Sequence, residues 1–190
     1  MKAHLRVLGI DDSPFAFSGD RVRVVGVLMR VPDYVEGVML TECTVDGTDA
    51  DQALVGLINR SRFKEQIRLA IVDGAALGGF NVVDISKVHD QTGLAVATVT
   101  REPPDFGSME QALRKHFDDW ESRLKVIKRH PLFRVSTGHK PLYASVAGMD
   151  ENSAKGLIQA SVVRGAVPEP VRIAHLIASA LERGESRGKA

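Results

Sequence analysis

The sequence predicts an α/β fold in which three antiparallel strands are followed by alternating strands and helices. Residues 1–45 contain three apolar runs joined by short turns, which is the pattern of an antiparallel meander. Beyond residue 45, segments with helical periodicity alternate with short, almost continuous apolar runs, which is the pattern of strands buried on both faces. Together these observations predict one mixed sheet, three antiparallel strands then βαβα units, flanked by helices.

The individual elements follow from the apolar spacing and from the turn residues between them. Strands are predicted at residues 5–10, 20–31, 35–45, 67–74, 94–100 and 141–148. Helices are predicted at residues 46–63, 108–127, 150–164 and 170–183, and a helix or helix-like crossover at residues 78–93. Thr48 or Asp49 is the predicted N-cap of the first helix. In the segment 108–127 a capping box begins at Ser108, and His116 lies in an apolar stripe that predicts packing.

Length and composition predict a single domain over residues 1–190, with a frayed tail from about residue 184. No window of 18 apolar residues occurs, so no membrane span is expected, and the first apolar run is too short for a signal peptide. The one cysteine, Cys43, excludes an intramolecular disulfide and fits a reducing cytoplasm. The net charge of +1 does not by itself indicate a nucleic-acid-binding protein, and the exposed helix faces permit a dimer.

Acidic residues follow two of the predicted buried strands. Asp11 ends the first strand and Asp73 ends the strand at 67–74, so their carboxylates converge if the strands are neighbours. Convergent carboxylates suit Mg²⁺ or Mn²⁺, and such a cluster can orient a phosphodiester and activate a water molecule. The alternative is that Asp-Gly and Ser-Pro pairs at these places only form turns. Asp12 is predicted to point to the opposite face, because side chains alternate along a strand.

Two further positions bear on this predicted site. A third metal ligand could come from the segment DGTDAD, that is, from Asp46, Asp49 or Asp51. On the last predicted helix, His175 lies on the inward face, where it is either a core histidine or a ligand that faces the strand ends.

The segments GIDDS, IVDG, YASVAG and PEPVRIAH, in that order, resemble the motifs of endonuclease V. That enzyme is a Mg²⁺-dependent nuclease with a ribonuclease H-like fold, and it acts near deaminated bases. GIDDSPF, VDGTDA, GGFNVVD, KHFDDWESRL and PEPVRIAHLIA resemble a related, uncharacterised and mainly archaeal family, domain-of-unknown-function family 99. The resemblance covers nearly the whole chain and implies a ribonuclease H-like domain.

The resemblance also implies roles for particular residues. Asp11 matches the metal-binding Asp of the enzyme's first strand, and Asp73 matches the Asp of its VDG motif. Arg101 falls near an active-site Lys, where a cation neutralises a phosphate or a transition-state charge; the alternative is a solvated residue at a strand end. Arg172 matches an Arg of the enzyme's closing motif. We expect a structural role for this residue at least as often as a catalytic one.

Several parts of the endonuclease V pattern are missing from this chain. VDG is followed by AALGGFNVVD, without the His-Pro-Arg stretch, and the aromatic wedge that pries the strands apart is absent. Only Asp49 or Asp51 lies near the position of the enzyme's Glu ligand. The leading hypothesis is a divalent-metal-dependent phosphodiesterase or nuclease acting on DNA or RNA. The alternative is a non-catalytic module that uses the same scaffold to bind nucleic acid, a nucleotide or a protein.

Overall fold

The computed structural model describes residues 5–15 and 19–186. Its strands are β1 (Leu5–Asp12), β2 (Arg21–Val31), β3 (Tyr34–Thr44), β4 (Ile67–Asp73), β5 (Ala76–Leu77), β6 (Asn81–Val82), β7 (Val96–Thr100), β8 (Phe133–Val135) and β9 (Leu142–Ala147). Its α-helices are α1 (Ala50–Asn59), α2 (Ile85–Thr92), α3 (Phe106–His116), α4 (Trp120–Ile127), α5 (Glu151–Ala160) and α6 (Glu169–Arg183), and a 3₁₀ turn covers Lys64–Gln66.

Seven strands form one mixed sheet in the order β3-β2-β1-β4-β7-β9-β8, and β5 and β6 form a separate hairpin. The first three strands are antiparallel, whereas β1, β4 and β7 run parallel and β9 returns antiparallel to β7. The predicted mixed sheet is therefore confirmed. The ends of β1, β4 and β7 lie at one edge of the sheet, the carboxyl edge.

The two faces of the sheet carry different helices. Leu8 and Ile10 of β1 face the core that includes α1 and α2, whereas Val7 faces the core that includes α5 and α6. Gly9 lies on the same face as Val7, and a methyl group there would be 2.2 Å from the carbonyl carbon of Pro170. Because β1 has no side chain at this position, α6 lies directly against it and its next turn reaches the carboxyl edge.

The predicted helix or crossover at residues 78–93 is helical only in its second half. Gly78 and Gly79 have φ angles of +55° and +89°, which form the turn of the β5–β6 hairpin and prevent a helix there. Helix α2 begins after Asp84, whose side chain accepts hydrogen bonds from the backbone N–H groups of Ser86 and Lys87. Gly93 ends the helix in the left-handed conformation, as its sequence position predicts.

The prediction of one continuous helix over residues 108–127 is wrong. Phe117 is extended (φ −138°, ψ 128°) and separates α3 from α4, because its ring packs edge-on against Phe80 of the hairpin, with 5.7 Å between centroids. The N-cap of α3 is Asp105 rather than Ser108. His116 is exposed rather than packed in the core, since the break turns it away from the stripe.

Several smaller features complete the comparison with the predicted elements. The short strand β8 was not predicted, because its three residues are too few for a periodic pattern. The predicted frayed tail begins at Gly184, which ends α6; residues 187–190 of that tail lie outside the described residues. Within the described part of the chain, no helix is long and apolar enough to cross a membrane.

Candidate active site

Asp11 and Asp73 lie side by side at the carboxyl edge. The parallel pairing of β1 with β4 places Ile10 beside Val72, and each aspartate is the next residue of its strand. Both side chains belong to the α6 face, because Val7 of β1 and Leu69 and Ile71 of β4 share that face with the α6 core. The structure therefore brings together the two carboxylates that the sequence predicted to converge.

His175 joins this pair from α6. Its Nδ1 atom lies 2.8 Å from Oδ2 of Asp11, which is hydrogen-bonding distance, and its side chain is 31% exposed. The other carboxylate oxygen of Asp11 accepts a hydrogen bond of 2.9 Å from the backbone N–H of Asp12. The sequence left two roles open for His175, that of a core histidine and that of a ligand facing the strand ends. The structure places the residue at the strand ends.

The environment disfavours negative charge on both aspartates. Burial raises the pKa of Asp11 to about 8, and the charges of Asp73 and Asp12 contribute to the same shift. Burial also raises the pKa of Asp73, although the positive charge of Arg101 and the charge of His175 act against the shift. The folded protein therefore favours the protonated form of both groups, and a bound cation would favour the charged form.

Arg101 and Arg172 occupy different positions relative to this pair. Arg101 follows the end of β7, two residues beyond Val99, which pairs with Asp73, and its charge lowers the pKa of Asp73. Arg172 forms a two-pronged ion pair with Glu169 in the first turn of α6, with the Nε–Oε2 distance at 2.8 Å. The structure thus places Arg101 at the carboxyl edge and gives Arg172 a contact within its own helix.

Asp12 faces away from the pair, as the alternation along β1 predicts. Its Oδ2 atom accepts a hydrogen bond of 2.8 Å from the backbone N–H of Gly78 in the hairpin turn. Burial raises its pKa, and the hydrogen bond from Gly78 acts against this shift. Asp12 therefore fastens the β5–β6 hairpin to the carboxyl edge.

The structure does not bring Asp49 to the pair. Its carboxylate accepts hydrogen bonds from the backbone N–H of Thr44 (2.9 Å), the Thr44 hydroxyl (2.8 Å) and the side-chain amide of Asn81 (2.7 Å). Although burial raises its pKa, these hydrogen bonds and Arg21 hold the pKa below its ordinary value. Asp49 holds the end of β3, the hairpin and the start of α1 together.

Asp51 and Asp46 are engaged in a similar way. Asp51 accepts a hydrogen bond of 2.7 Å from the backbone N–H of Asp84 and lies 3.2 Å from the Lys87 ammonium. Asp46 accepts a hydrogen bond of 2.8 Å from the backbone N–H of Phe80. Among residues 5–15 and 19–186, no group of three or more His, Cys, Asp or Glu side chains could hold a metal ion. The expected third ligand from this segment is therefore not found, because hydrogen bonds to the hairpin and α2 hold these side chains.

Replacing Asp49 with alanine is expected to lower the free energy of unfolding by about 2 kcal/mol, because one N–H of the buried Asn81 amide and the backbone N–H and hydroxyl of Thr44 lose their acceptor. The Asn81 amide keeps its hydrogen bond to the Thr44 carbonyl. The affinity for Mg²⁺ should stay within about twofold of wild type. Urea denaturation and calorimetric titration measure the two quantities on the same sample. A tenfold or larger loss of Mg²⁺ affinity at wild-type stability would instead make Asp49 a ligand.

Comparison with known proteins gives this site a family context. Residues 3–182 match the family described as endonuclease dU. The chain belongs to the endonuclease dU family. A relative from Methanothermobacter thermautotrophicus, named UPF0215 protein, is 40% identical over 191 residues, which cover 100% of this chain and 94% of that protein. The resemblance to an uncharacterised archaeal family is thus confirmed.

Solved structures support the same relation. A protein of unknown function from Archaeoglobus fulgidus has a TM-score of 0.84 and 38% sequence identity, covering 93% of this chain and 98% of that one. The catalytic domain of human endonuclease V has a TM-score of 0.59 and 19% identity, covering 95% and 83%. Endonuclease V from Ciona intestinalis, in complex with DNA containing an inosine followed by a ribo-adenosine, has a TM-score of 0.58 and 12% identity, covering 90% and 82%. At such identities the two endonucleases show the fold alone, and they confirm the ribonuclease H-like prediction.

Proposed function

We propose that this protein of the endonuclease dU family is a divalent-metal-dependent nuclease that hydrolyses a phosphodiester bond of DNA containing a deaminated base. One observation carries the proposal, namely that Asp11, which is buried, and Asp73, which is half-buried, lie together at the ends of neighbouring parallel strands. Burial disfavours ionisation of both carboxyl groups and raises the pKa of each, and the charge of Asp73 adds to the rise for Asp11. Such an arrangement is useful to a protein that binds a cation at this position.

Mg²⁺ or Mn²⁺ fits the residues that are present. Both ions prefer oxygen ligands, and Asp11 and Asp73 offer carboxylate oxygens without a competing thiol. Mg²⁺ commonly binds proteins through one or two carboxylates and completes its shell with water and substrate phosphate, so a third acidic side chain is not required. When bound, the ion would polarise the phosphate and supply an activated water molecule.

Two neighbouring residues have roles that their positions support. His175 holds the carboxylate of Asp11 in one orientation through the Nδ1–Oδ2 hydrogen bond. The other carboxylate oxygen then keeps its hydrogen bond from the backbone N–H of Asp12. Arg101 is exposed at the same edge, where its guanidinium would bind a phosphate oxygen and stabilise negative charge during cleavage.

The substrate class rests on the relatives. The family description names an endonuclease dU, and the endonuclease V of Ciona intestinalis is bound to a DNA strand that contains an inosine followed by a ribo-adenosine. Deoxyuridine and inosine both arise by deamination of a base. We therefore propose DNA with a deaminated base as the first candidate substrate and RNA as the second.

The test uses labelled DNA strands of one sequence that contain a single deoxyuridine, a single inosine or neither. We expect cleavage near the deoxyuridine in Mg²⁺ or Mn²⁺, none in EDTA, and recovery when the ion is returned in excess. Calorimetric titration of Mg²⁺ into wild type and into the Asp11→Ala, Asp73→Ala double variant then identifies the ligands. No cleavage of any strand with either ion would contradict the proposal.

The absence of a third acidic side chain at the pair, among the described residues, favours a second candidate. In that case the protein binds nucleic acid, a nucleotide or a protein at the same edge without cleaving it. The cleavage experiment distinguishes the two functions, because a non-catalytic module would leave the labelled DNA intact with either metal ion.

A further inference from the structure

The two outer strands of the sheet differ in how they are protected against pairing with another chain. Strand β8, at one border, has three residues and carries the exposed Arg134 in the middle. Strand β3, at the other border, has eleven residues and contains no Lys, Arg or Pro. Short length, cationic side chains and proline are the usual means by which proteins block an outer strand. Bulges and other charged side chains serve the same purpose; β3 has a bulge at Glu36 and a second acidic residue at Glu42, so residues 37–41 carry no such device.

The exposed apolar side chains are concentrated on this outer strand. Four of the seven large hydrophobic residues that are exposed in the described part of the chain belong to β3: Tyr34, Val35, Val38 and Leu40. A fifth, Leu181, lies on α6 and is 43% exposed. Apolar surface gathered in this way is typical of an interaction site rather than of a solvated surface.

The register of the sheet shows which face these side chains occupy. Val38 pairs with Val27 and Leu40 pairs with Val25, and both partners are fully buried in the small core beneath α6. Val38 and Leu40 are 48% and 52% exposed, because α6 covers β2 and leaves β3 open. Val38 and Leu40 therefore form an exposed apolar surface on the side of the sheet that carries α6, the β3 face.

The acidic residues of β3 are already neutralised. Glu36 forms ion pairs with Arg6 and Arg30, and their hydrogen bonds and charges hold its pKa below the ordinary value even though burial raises it. Glu42 lies 3.7 Å from Nε of Arg21. With a net charge of +1 for the whole chain, neither the strand nor the molecule opposes association with an identical molecule.

We propose that β3 pairs antiparallel with β3 of a second copy of this chain, about a two-fold axis near Met39. This axis sets Val38 of one copy beside Leu40 of the second copy on the same face of the joined sheet, so each of these side chains covers part of the other. A second copy suits the surface better than an acidic or basic partner, because the strand offers apolar side chains without uncompensated charge. The two seven-stranded sheets become one continuous sheet.

The proposed pairing has a consequence for the carboxyl edges. A two-fold axis perpendicular to the sheet reverses the strand direction, so the carboxyl edges of the two copies face opposite ways. Each Asp11–Asp73 pair would then work independently of the other copy. The proposal does not depend on the proposed nuclease function, since it concerns the outer strand β3, which β2 separates from the strands that carry Asp11 and Asp73.

Sedimentation velocity of the full chain at about 1 to 200 μM tests the proposal. We expect the wild type to pass from a species of 20.6 kDa to one of twice that mass as concentration rises. Val38→Lys and Leu40→Lys each place a charge in the interface and should raise the dissociation constant at least about 100-fold. Val163→Lys is the matched control, because Val163 is a valine of similar exposure (52%) outside β3.

Dimers in the wild type and in Val163→Lys, with monomers in both β3 variants, would support the proposal. Circular dichroism and thermal unfolding verify that the variants fold, and their cleavage rate per chain should equal that of wild type. A wild type that stays monomeric throughout overturns the proposal, even if β3 binds another protein. Dimers that persist in both β3 variants overturn it as well, because the interface would then lie elsewhere.

Discussion

Replacing Asp73 with asparagine is expected to lower the rate of metal-dependent DNA cleavage by about 10²- to 10³-fold or more, with the fold unchanged. The amide has nearly the same shape as the carboxyl group but lacks the charge that would hold the ion. Folding should tolerate the change, because burial already raises the pKa of Asp73 and favours its neutral form. Single-turnover cleavage of the deoxyuridine strand at saturating protein measures the effect.

Asp150→Asn provides the matched control for this experiment. Asp150 is an exposed N-cap of α5 whose side chain accepts a hydrogen bond from the backbone N–H of Ser153, and asparagine caps helices equally well. The control variant should cleave at the wild-type rate. If Asp73→Asn also cleaved at that rate while binding Mg²⁺ normally, the carboxylate pair would have no part in the reaction.

Replacing Asp11 with asparagine is expected to stabilise the protein at alkaline pH in the absence of divalent ions. In the folded protein the pKa of Asp11 is raised from 3.8 to about 8, mainly by burial. The unfolded chain therefore binds fewer protons than the folded chain between these values, and stability falls as pH rises. The slope is about 1.4 kcal/mol per pH unit for one group, which amounts to a loss on the order of 5 kcal/mol by pH 8.

Asparagine does not titrate, so the Asp11→Asn variant lacks this loss. At pH 4.5 the two proteins should unfold at similar temperatures, and at pH 9 the variant should unfold on the order of 10 °C higher. Thermal unfolding from pH 4.5 to 9 in EDTA measures the difference. Excess Mg²⁺ at pH 9 should stabilise the wild type but not the variant, since a bound cation replaces the missing positive charge. If the unfolding temperatures of the two proteins changed with pH in the same way, the raised pKa would not belong to Asp11.

The sequence by itself determined the main sheet and the position of the aspartate pair. Apolar runs bounded by turn residues are local features, and they predict β1, β2, β3, β4 and β7 close to their observed bounds. The alternation of side chains along a strand fixes the face of Asp11 and the opposite face of Asp12. Because parallel strands end at the same edge, the convergence of Asp11 with Asp73 followed from their places at two strand ends.

The tertiary structure alone decided which partners surround that pair. His175 and Asp11 are 164 residues apart in the chain and meet because Gly9 lets α6 lie against β1. Asp49 instead accepts a hydrogen bond from Asn81 of the hairpin, which lies in the segment predicted as a helix or crossover. The interior break between α3 and α4 likewise depends on Phe80 packing against Phe117. Such contacts depend on side chains from distant segments, so no local pattern encodes them.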